Sequence, residues 1–453
     1  MLFNEGAYMN LRIRKKIMIL SIVFIFLGTY FVSIPSSEIE RTSIMGPSSK
    51  HDEINAWTSL FYINVESNDP LWTILINPDI LHDHFMYRKQ LKSGENHQIL
   101  VLQDRRRSPA VIYSMDENSD RTVLKEIGEV NTGDPETLIE FINYGKEQYP
   151  AERYHLAFWS HSNAWVAVCA DASSNHDSLT PDELQYALTE TEGVDLLSFI
   201  GCCLMGSLEV AYEVRDCCEV YVASESMGNQ NDWYGMIDDL CDMLNTNTTM
   251  STIEIGRQIV NLICCNSNEF RDTMTISAIQ TDTLSSLVQN IDALSKYLIE
   301  QDDVIFTTFL SARNQTKDFP IFDSRNLFRR YRQGISYLID IYDFITHYQE
   351  IETDQTIQYM LNSMKTNITN AIIAECHGTN QTGSHGLSLF YSSNDMLSTY
   401  AEYDLDFTTD THWDDLLEKH KEKTRSIRKI DTLPLMNLKR YFLIQNYLFD
   451  ISI

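Results

Sequence analysis

Two segments of the chain end in residues that can do nucleophilic chemistry. Residues 194–206 begin as an apolar run and end in small residues and two thiols, Cys202 and Cys203. Residues 154–159 form another apolar run, and His161 follows it in a polar loop. A thiolate attacks a carbonyl carbon, and a nearby imidazole can take up and return the proton. These residues are therefore our candidate nucleophile and acid–base partner.

Both runs have the composition of buried strands. Residues 207–214 place Leu208, Ala211 and Tyr212 on one helical face, so the cysteine-bearing run predicts a strand that turns sharply into a helix. The N-terminus of such a helix favours the thiolate form of the cysteine. Neighbouring parallel strands end at the same edge of a sheet, so we expect His161 and the cysteines to meet there.

Strands and helices alternate from about residue 56 to residue 225, which predicts an α/β fold with a mostly parallel sheet flanked by helices. Helix starts are predicted where Asp134 precedes Pro135, and where Thr180 precedes Pro181 after a polar loop at 171–182. Other strands are predicted at 56–65, 98–104, 109–114 (an edge hairpin strand), 220–225 and 273–279. Other helices are predicted at 71–91, after the last of these strands to about residue 299, and at 367–374.

The segments around the candidate residues resemble those of the clostripain family, cysteine peptidases related to caspases, gingipains and legumain. Residues 203–213 (CLMGSLEVAYE) are similar to that family's nucleophile segment, and Trp159, His161 and Trp165 are similar to its histidine segment. The resemblance runs from about residue 57 to residue 420 and is strongest at 131–240. It implies a caspase-like (caspase-hemoglobinase) sandwich with a smaller C-terminal extension.

The resemblance also implies an activity. A cysteine endopeptidase would use Cys203 and His161 to cleave peptide bonds through a thioester acyl-enzyme, with a protein or peptide as substrate. The backbone N–H groups of Cys203 and Ser162 would hold the oxyanion. No cofactor or metal is expected; some relatives need calcium, which this sequence neither requires nor excludes.

Two departures from the family pattern leave alternatives open. The family usually has glycine after the histidine, where this chain has Ser162, so a catalytically impaired pseudoenzyme with a binding or regulatory role is the alternative function. A different hydrolase or a purely structural surface protein is a third hypothesis. Counted from the helix, Cys203 has the family position of the nucleophile; counted from Asp195, Cys202 has it instead. We favour Cys203, with Cys202 as the alternative.

The substrate pocket departs from the family as well. Relatives typically carry an Asp two residues before the nucleophile, where it pairs with an Arg or Lys side chain of the substrate. Gly201 holds that position here, or Ile200 if Cys202 is the nucleophile, so we expect strict Arg specificity to be lost. The segment after the next strand supplies the other cleft candidates, of which Glu225 and Asp232 offer a replacement acid: Ser224, Glu225, Asp232, Trp233 and Tyr234.

The N-terminal segment predicts a membrane anchor. Residues 17–34 carry no charged side chain, and four basic residues lie between positions 12 and 16. We expect an uncleaved signal anchor, with a cleaved signal peptide and a secreted protein as the alternative. The expected organisation is a cytoplasmic segment at 1–16, a transmembrane helix at 17–34, a linker at 35–55, a lumenal or extracellular peptidase domain at 56–420, and a tail of unknown role at 421–453.

Charge and cysteine content bound the remaining functions. The net charge of −29 argues against nucleic acid and against anionic membrane surfaces as partners. Of the nine cysteines, none has the spacing of a zinc site, and their disulfide connectivity does not follow from sequence. Four Asn-x-Thr sequons fit a glycosylated lumenal or extracellular domain: Asn247, Asn314, Asn367 and Asn380.

Overall fold

A computed structural model describes residues 54–64, 91–105, 108–227, 236–266, 272–301, 303–321, 336–392 and 396–431. Its strands are β1 Asn55–Asn64, β2 His97–Arg105, β3 Ser108–Met115, β4 Arg121–Gly128, β5 Ala151–Trp159, β6 Val168–Asp171, β7 Asp177–Leu179, β8 Leu196–Ile200, β9 Val220–Ala223, β10 Thr275–Gln280, β11 Asp318–Ile321, β12 Ser336–Asp340, β13 Ile372–His377 and β14 Ser388–Tyr391. Its α-helices are α1 Pro135–Gln148, α2 Pro181–Glu190, α3 Leu208–Glu213, α4 Met236–Thr246, α5 Thr252–Asn266, α6 Leu284–Glu300, α7 Asp303–Gln315, α8 Ile341–Ile351, α9 Gln355–Ala371, α10 Met396–Glu402, α11 Asp406–Asp410 and α12 Trp413–Asp431.

The central sheet has nine described strands in the order β13-β10-β9-β8-β5-β1-β2-β3-β4. Its middle is parallel: β1 pairs with β2 and with β5, β5 with β8, and β8 with β9. The two strands at each end are added antiparallel. The predicted α/β fold with a mostly parallel sheet is confirmed.

Apolar side chains alternate between the two faces of the parallel strands, so each face has its own core. Leu60 and Tyr62 of β1 belong to the core that is packed by helices such as α1, α6 and α9. Trp57 and Phe61 of the same strand belong to the opposite core, under α4 and α5. Because both faces are covered, β1 is buried along its whole length, as its apolar sequence predicts.

The predicted helix starts of α1 and α2 are confirmed. The Asp134 carboxylate accepts the backbone N–H of Glu136 at 3.0 Å, and Pro135 begins α1. A capping box joins Thr180 and Glu183 at the start of α2. Capping signals are local and involve few residues, so they can be recognised without the tertiary structure.

Three predictions about elements need correction. The predicted 109–114 strand is not an edge strand, because β4 pairs outside it; no residue of β4 is buried, and its charged side chains are Arg121, Lys125 and Glu126. The polar loop expected at 171–182 includes the hairpin of β6 and β7. The helix expected at 367–374 ends at Ala371, and the chain continues directly into the edge strand β13, which is stabilised by pairing with β10.

Several predictions fall on residues that the structure does not describe. The predicted anchor at 17–34, most of the linker and most of the helix at 71–91 lie outside the described residues. Among the residues that are described, no helix is long and apolar enough to cross a membrane.

The domain boundary expected at residue 420 falls inside α12, where Lys421 is buried. A disulfide joins Cys264 of α5 to Cys376 of β13.

Candidate active site

The candidate nucleophile lies in the loop between β8 and α3. Strand β8 ends at Ile200, and α3 begins at Leu208 after the N-cap residue Ser207. The expected sharp turn from strand into helix is therefore a longer loop, and the cysteines do not lie in the first turn of the helix. Gly201 and Leu204 both have left-handed backbone conformations, with φ of 68° and 65°. Leu rarely adopts this conformation, so the surrounding structure must hold the loop.

Backbone hydrogen bonds from the segment after β9 hold this loop. The Leu204 N–H donates to Ser226 O at 2.9 Å, and the Gly206 N–H donates to Ser224 O at 2.7 Å. A Cβ atom at Gly206 would lie 2.7 Å from the backbone nitrogen of Glu225, so only glycine allows the two segments to approach this closely.

The candidate histidine lies in the loop after the neighbouring strand, β5. Trp159 is the last residue of β5 and pairs with Ile200, so the two loops leave the same edge of the sheet. His161 is exposed, and its backbone carbonyl accepts the N–H of Cys169 at 3.2 Å. Further along, Trp165 is buried and makes edge-to-face contacts with Phe390, Tyr400 and Tyr403. These contacts pack the loop between β5 and the β6–β7 hairpin against aromatic residues of the C-terminal part of the chain.

A side-chain hydrogen bond joins the two loops. The Ser162 hydroxyl donates to the backbone carbonyl of Cys203 at 2.8 Å. The sequence prediction that the histidine and the cysteine segments lie at one edge of the sheet therefore agrees with the positions of their loops. Ser162, which replaces the usual glycine of the family pattern, contacts the candidate nucleophile directly through its side chain.

The two neighbouring thiols differ in their surroundings. Cys202 is completely buried, and its Sγ lies 3.9 Å from the carbonyl of Phe158. Burial raises the pKa of the Cys202 thiol well above its usual range, and the nearby Cys169 adds to the effect. Cys203 retains 9% of its accessible surface. A nucleophile must reach both solvent-borne substrate and a base, so the environment of Cys203 suits the role better than that of Cys202.

The predicted cleft residues after β9 are buried where the structure describes them. The Ser224 hydroxyl shares a 2.9 Å hydrogen bond with the hydroxyl of Thr275. Glu225 is 1% exposed, and its carboxylate accepts the backbone N–H of Gly386 at 2.8 Å. Burial first, and then the neighbouring carboxyl group of Asp340, raises the pKa of Glu225 well above its usual range. Asp232, Trp233 and Tyr234 lie outside the described residues.

Asp340 and His385, which the sequence analysis did not name as site residues, form a polar cluster with Glu225. The Asp340 carboxylate accepts the backbone N–H groups of Asp343 and His385, at 2.7 and 2.6 Å. Its Oδ1 also lies 3.2 Å from Nδ1 of His385, and this contact raises the pKa of the imidazole against the opposing effect of burial. Asp340 is the N-cap of α8, so a capping pattern was the signal that could have located it.

One group of three carboxylates among the described residues has the spacing of metal ligands. Oxygen atoms of Asp104, Glu129 and Asp171 all lie within 4.8 Å of one another. Asp171 accepts hydrogen bonds from backbone N–H groups of Thr132, Ser173 and Ser174. These bonds give the Asp171 carboxylate a structural role in the loop around β6.

A mostly parallel sheet between helices, with a cysteine and a histidine in loops at the ends of adjacent strands, is the architecture of the caspase-like α/β fold. Solved structures agree with this fold. The X-ray structure of an inactive zymogen C11 protease from Parabacteroides distasonis is similar with a TM-score of 0.57, at 17% identity, over 80% of this chain and 99% of that one. The structure of a secreted C11 cysteine protease from Bacteroides thetaiotaomicron in complex with an irreversible peptide inhibitor gives a TM-score of 0.58, at 15% identity, over 79% and 99% of the two chains.

Sequence comparison identifies the family. The model of the clostripain family matches residues 80–420, so the chain belongs to the clostripain family of cysteine-type peptidases. Clostripain of Hathewaya histolytica is 42% identical over 101 residues. That alignment covers 19% of this chain and 19% of the relative. The resemblance that the sequence analysis found at residues 131–240 is thereby confirmed at the level of the family.

Proposed function

We propose that the chain is an active cysteine endopeptidase in which Cys203 is the nucleophile and His161 its acid–base partner. The observation that carries the proposal is the Ser162–Cys203 hydrogen bond, because it joins the two loops at the carboxyl edge of β5 and β8. Family membership supports a peptidase over a pseudoenzyme. The substrate is a protein or peptide.

The proposed reaction has two steps. In the first, the Cys203 thiolate attacks the carbonyl carbon of the scissile peptide bond, and the C–N bond breaks as His161 protonates the leaving amine. In the second, water attacks the resulting thioester, His161 takes up the proton of that water, and the Cys203 sulfur leaves. The backbone N–H groups of Cys203 and Ser162 are the proposed donors to the oxyanion, each worth about 3 kcal/mol by analogy with other acyl-transfer sites.

A labelling experiment tests this proposal. A thiol-directed peptidyl probe is added to the wild-type chain and to the Cys203→Ala, Cys202→Ala and His161→Ala variants, and the labelled peptide is located by mass spectrometry. We expect labelling at Cys203 that is lost in the first and third variants and kept in the second. Labelling that does not depend on His161 at either cysteine would contradict the enzyme assignment and favour the pseudoenzyme. Labelling at Cys202 would transfer the nucleophile to that residue.

The primary specificity is the next part of the proposal. Gly201 has no side chain with which to pair a basic residue of the substrate, and the Glu225 carboxylate is directed to Gly386 and Asp340. Removing one partner of a buried ion pair costs about 3–5 kcal/mol, which lowers an Arg preference more than about a hundredfold. We propose that small or apolar side chains are accepted before the scissile bond.

A panel of fluorogenic peptides that differ only at that position measures the specificity. Similar kcat/KM values for Arg, Ala and Leu peptides are expected. Strong selection for Arg would contradict the proposal and would direct attention to Asp232 as the acid; Asp232→Asn would then abolish the selection. Trp233 and Tyr234 remain the proposed aromatic wall of the cleft.

For localisation, we propose that residues 17–34 anchor the chain and that the catalytic domain lies on the lumenal or extracellular side. The C11 protease from B. thetaiotaomicron is described as secreted. The Cys264–Cys376 disulfide is typical of an oxidising compartment, and the sequon residues Asn247, Asn314 and Asn380 are exposed. In sealed microsomes, the domain should resist added protease and should shift in mass on deglycosylation. Complete digestion without a mass shift would contradict the proposed topology.

A further inference from the structure

The peptide unit that follows the candidate nucleophile is held from two sides. Its carbonyl, which belongs to Cys203, accepts the Ser162 hydroxyl at 2.8 Å. Its N–H, which belongs to Leu204, donates to Ser226 O at 2.9 Å. One partner lies in the loop after β5 and the other in the segment after β9, on opposite sides of β8. The plane of this peptide is therefore fixed between the two neighbouring segments.

This peptide needs such support because Leu204 has a φ of 65°. A left-handed conformation is unfavourable for leucine, and such residues persist only where the surroundings determine the backbone. Rotation of the Cys203–Leu204 peptide back toward an ordinary conformation would move the Cys203 backbone and, with it, the direction of the thiol. Of the two hydrogen bonds, only the one from Ser162 comes from the loop that also carries His161.

We infer that Ser162 is a positioning residue, whose hydroxyl sets the direction of the Cys203 thiol relative to His161 by holding the Cys203–Leu204 peptide. This inference rests on the proposed nucleophile and extends the proposed function. In this role the hydroxyl of Ser162 acts in addition to its backbone N–H, which is the proposed oxyanion donor. The side chain then supports the site, whereas the sequence analysis treated it as a possible cause of impairment.

Four variants separate a positioning role from a general structural one. Ser162→Ala and Ser162→Gly remove the hydroxyl, Ser162→Thr keeps it, and Ser295→Ala is the control. Ser295 lies on α6, and its hydroxyl donates to Ile291 O at the same distance of 2.8 Å. The loss of one such hydrogen bond corresponds to about a three- to tenfold change in rate when it acts only on the reactive geometry.

Two readouts are measured on the full chain: kcat and KM with a peptide substrate, and the rate of alkylation of Cys203 by iodoacetamide from pH 5 to pH 9. We expect Ser162→Ala and Ser162→Gly to lower kcat about three- to tenfold with KM unchanged. Both should slow the alkylation at pH 6–7 by a similar factor. Ser162→Thr should restore both rates, and Ser295→Ala should leave them at the wild-type values.

The decisive comparison uses His161→Ala as a background. If Ser162 acts by orienting the thiol toward His161, Ser162→Ala should have no further effect on alkylation in that background, so the two changes are not additive. Equal or faster alkylation in Ser162→Ala than in the wild type, or an undiminished effect in the His161→Ala background, would overturn the inference. Alkylation does not require peptide turnover. A chain without turnover would therefore contradict the proposed function, while the alkylation rates would still decide the role of Ser162.

Discussion

His155 lies on strand β5 and His161 in the loop after it, and each has a potential nucleophile on or just after the neighbouring strand β8. The two pairs differ in their surroundings. In the middle of these strands, His155 of β5 is hydrogen bonded to the Ser198 hydroxyl of β8 at 2.8 Å. At the carboxyl edge, His161 follows β5 and Cys203 follows β8. The inner pair has the residue types of a catalytic dyad, yet both of its side chains are completely buried. Residue type and proximity do not make an active site; access from the end of the strand does.

The inner pair belongs to a row of polar side chains that crosses four parallel strands on one face of the sheet. Ser59 of β1 is hydrogen bonded to His97 of β2 at 2.8 Å and to His155 at 3.1 Å, and Ser198 completes the row. Burial lowers the pKa of His97 to about 4. Burial, and then the neighbouring His97, lower the pKa of His155 to about 3. The row is therefore neutral and serves to satisfy polar groups between the apolar residues of this face.

The largest expected effect is the loss of activity on substitution of the pair at the carboxyl edge of the sheet, His161 and Cys203. Cys203→Ala and His161→Ala should each lower kcat/KM at least about a thousandfold, because the members of a catalytic dyad act as a unit. Cys202→Ala should keep most of the activity. Thermal unfolding, which serves as the control, should change little in the first two variants. A similar loss of activity in Cys202→Ala, with an unchanged melting temperature, would contradict the assignment of the nucleophile.

The second prediction is that the free energy of unfolding decreases in acid because of the buried histidines. His97 and His155 are neutral when folded and have pKa values below the unfolded value of about 6.5, so the unfolded chain binds more protons in this range. Their contribution to stability is complete above pH 6.5 and is lost as the pH falls toward 4. The free energy of unfolding should fall by up to about 1.4 kcal/mol per histidine for each pH unit.

Urea unfolding between pH 7 and pH 4 measures this dependence. His97→Gln is the matched variant, because it keeps a polar side chain and removes one titrating group, and its pH dependence should be shallower than that of the wild type. A slope that is equal in the two proteins would show that other groups dominate acid unfolding.

The sequence predicted the parallel strands and the helix caps because those signals lie within short stretches. The apolar runs of β1 and β8 and the caps of α1 and α2 are examples. The sequence did not distinguish His155 of β5 from His161 of the following loop by burial, because burial depends on which elements cover each face. It also could not place Glu225, whose carboxylate meets Gly386 from a distant part of the chain. The expected helix after the thiol is present as α3, but the expected sharp turn into it was wrong, because the loop before α3 is shaped by hydrogen bonds to the segment after β9.

A third prediction sharpens the difference within β8. Ser198→Ala removes the hydroxyl that partners His155 and leaves a buried ring nitrogen without it, which should cost about 1–3 kcal/mol of stability. The kcat of the molecules that remain folded should equal that of the wild type, because Ser198 is completely buried and lies outside the proposed site. The measurement pairs chemical denaturation with kcat at a temperature where both proteins are folded. A lower kcat with normal stability would indicate that the inner pair communicates with the catalytic edge.

The smallest expected effect is that of Glu225→Gln. One oxygen of Glu225 accepts the Gly386 N–H, and the other has no hydrogen-bond donor among the described residues and faces the Asp340 carboxyl group. The raised pKa of Glu225 means that the folded chain retains this proton above pH 4.5, so the group destabilises the fold progressively as the pH rises.

A glutamine at position 225 mimics the protonated acid: its oxygen accepts from Gly386 and its amide donates to Asp340. At pH 7–8 the free energy of unfolding of Glu225→Gln should lie within about 1 kcal/mol of the wild-type value or slightly above it. Its substrate specificity should be unchanged. Glu225→Ala, the contrasting variant, should be less stable than either. If Glu225→Gln instead abolished the cleavage of Arg peptides, the carboxylate would act on the substrate, and Glu225 would belong with the catalytic edge and not with the buried groups beneath it.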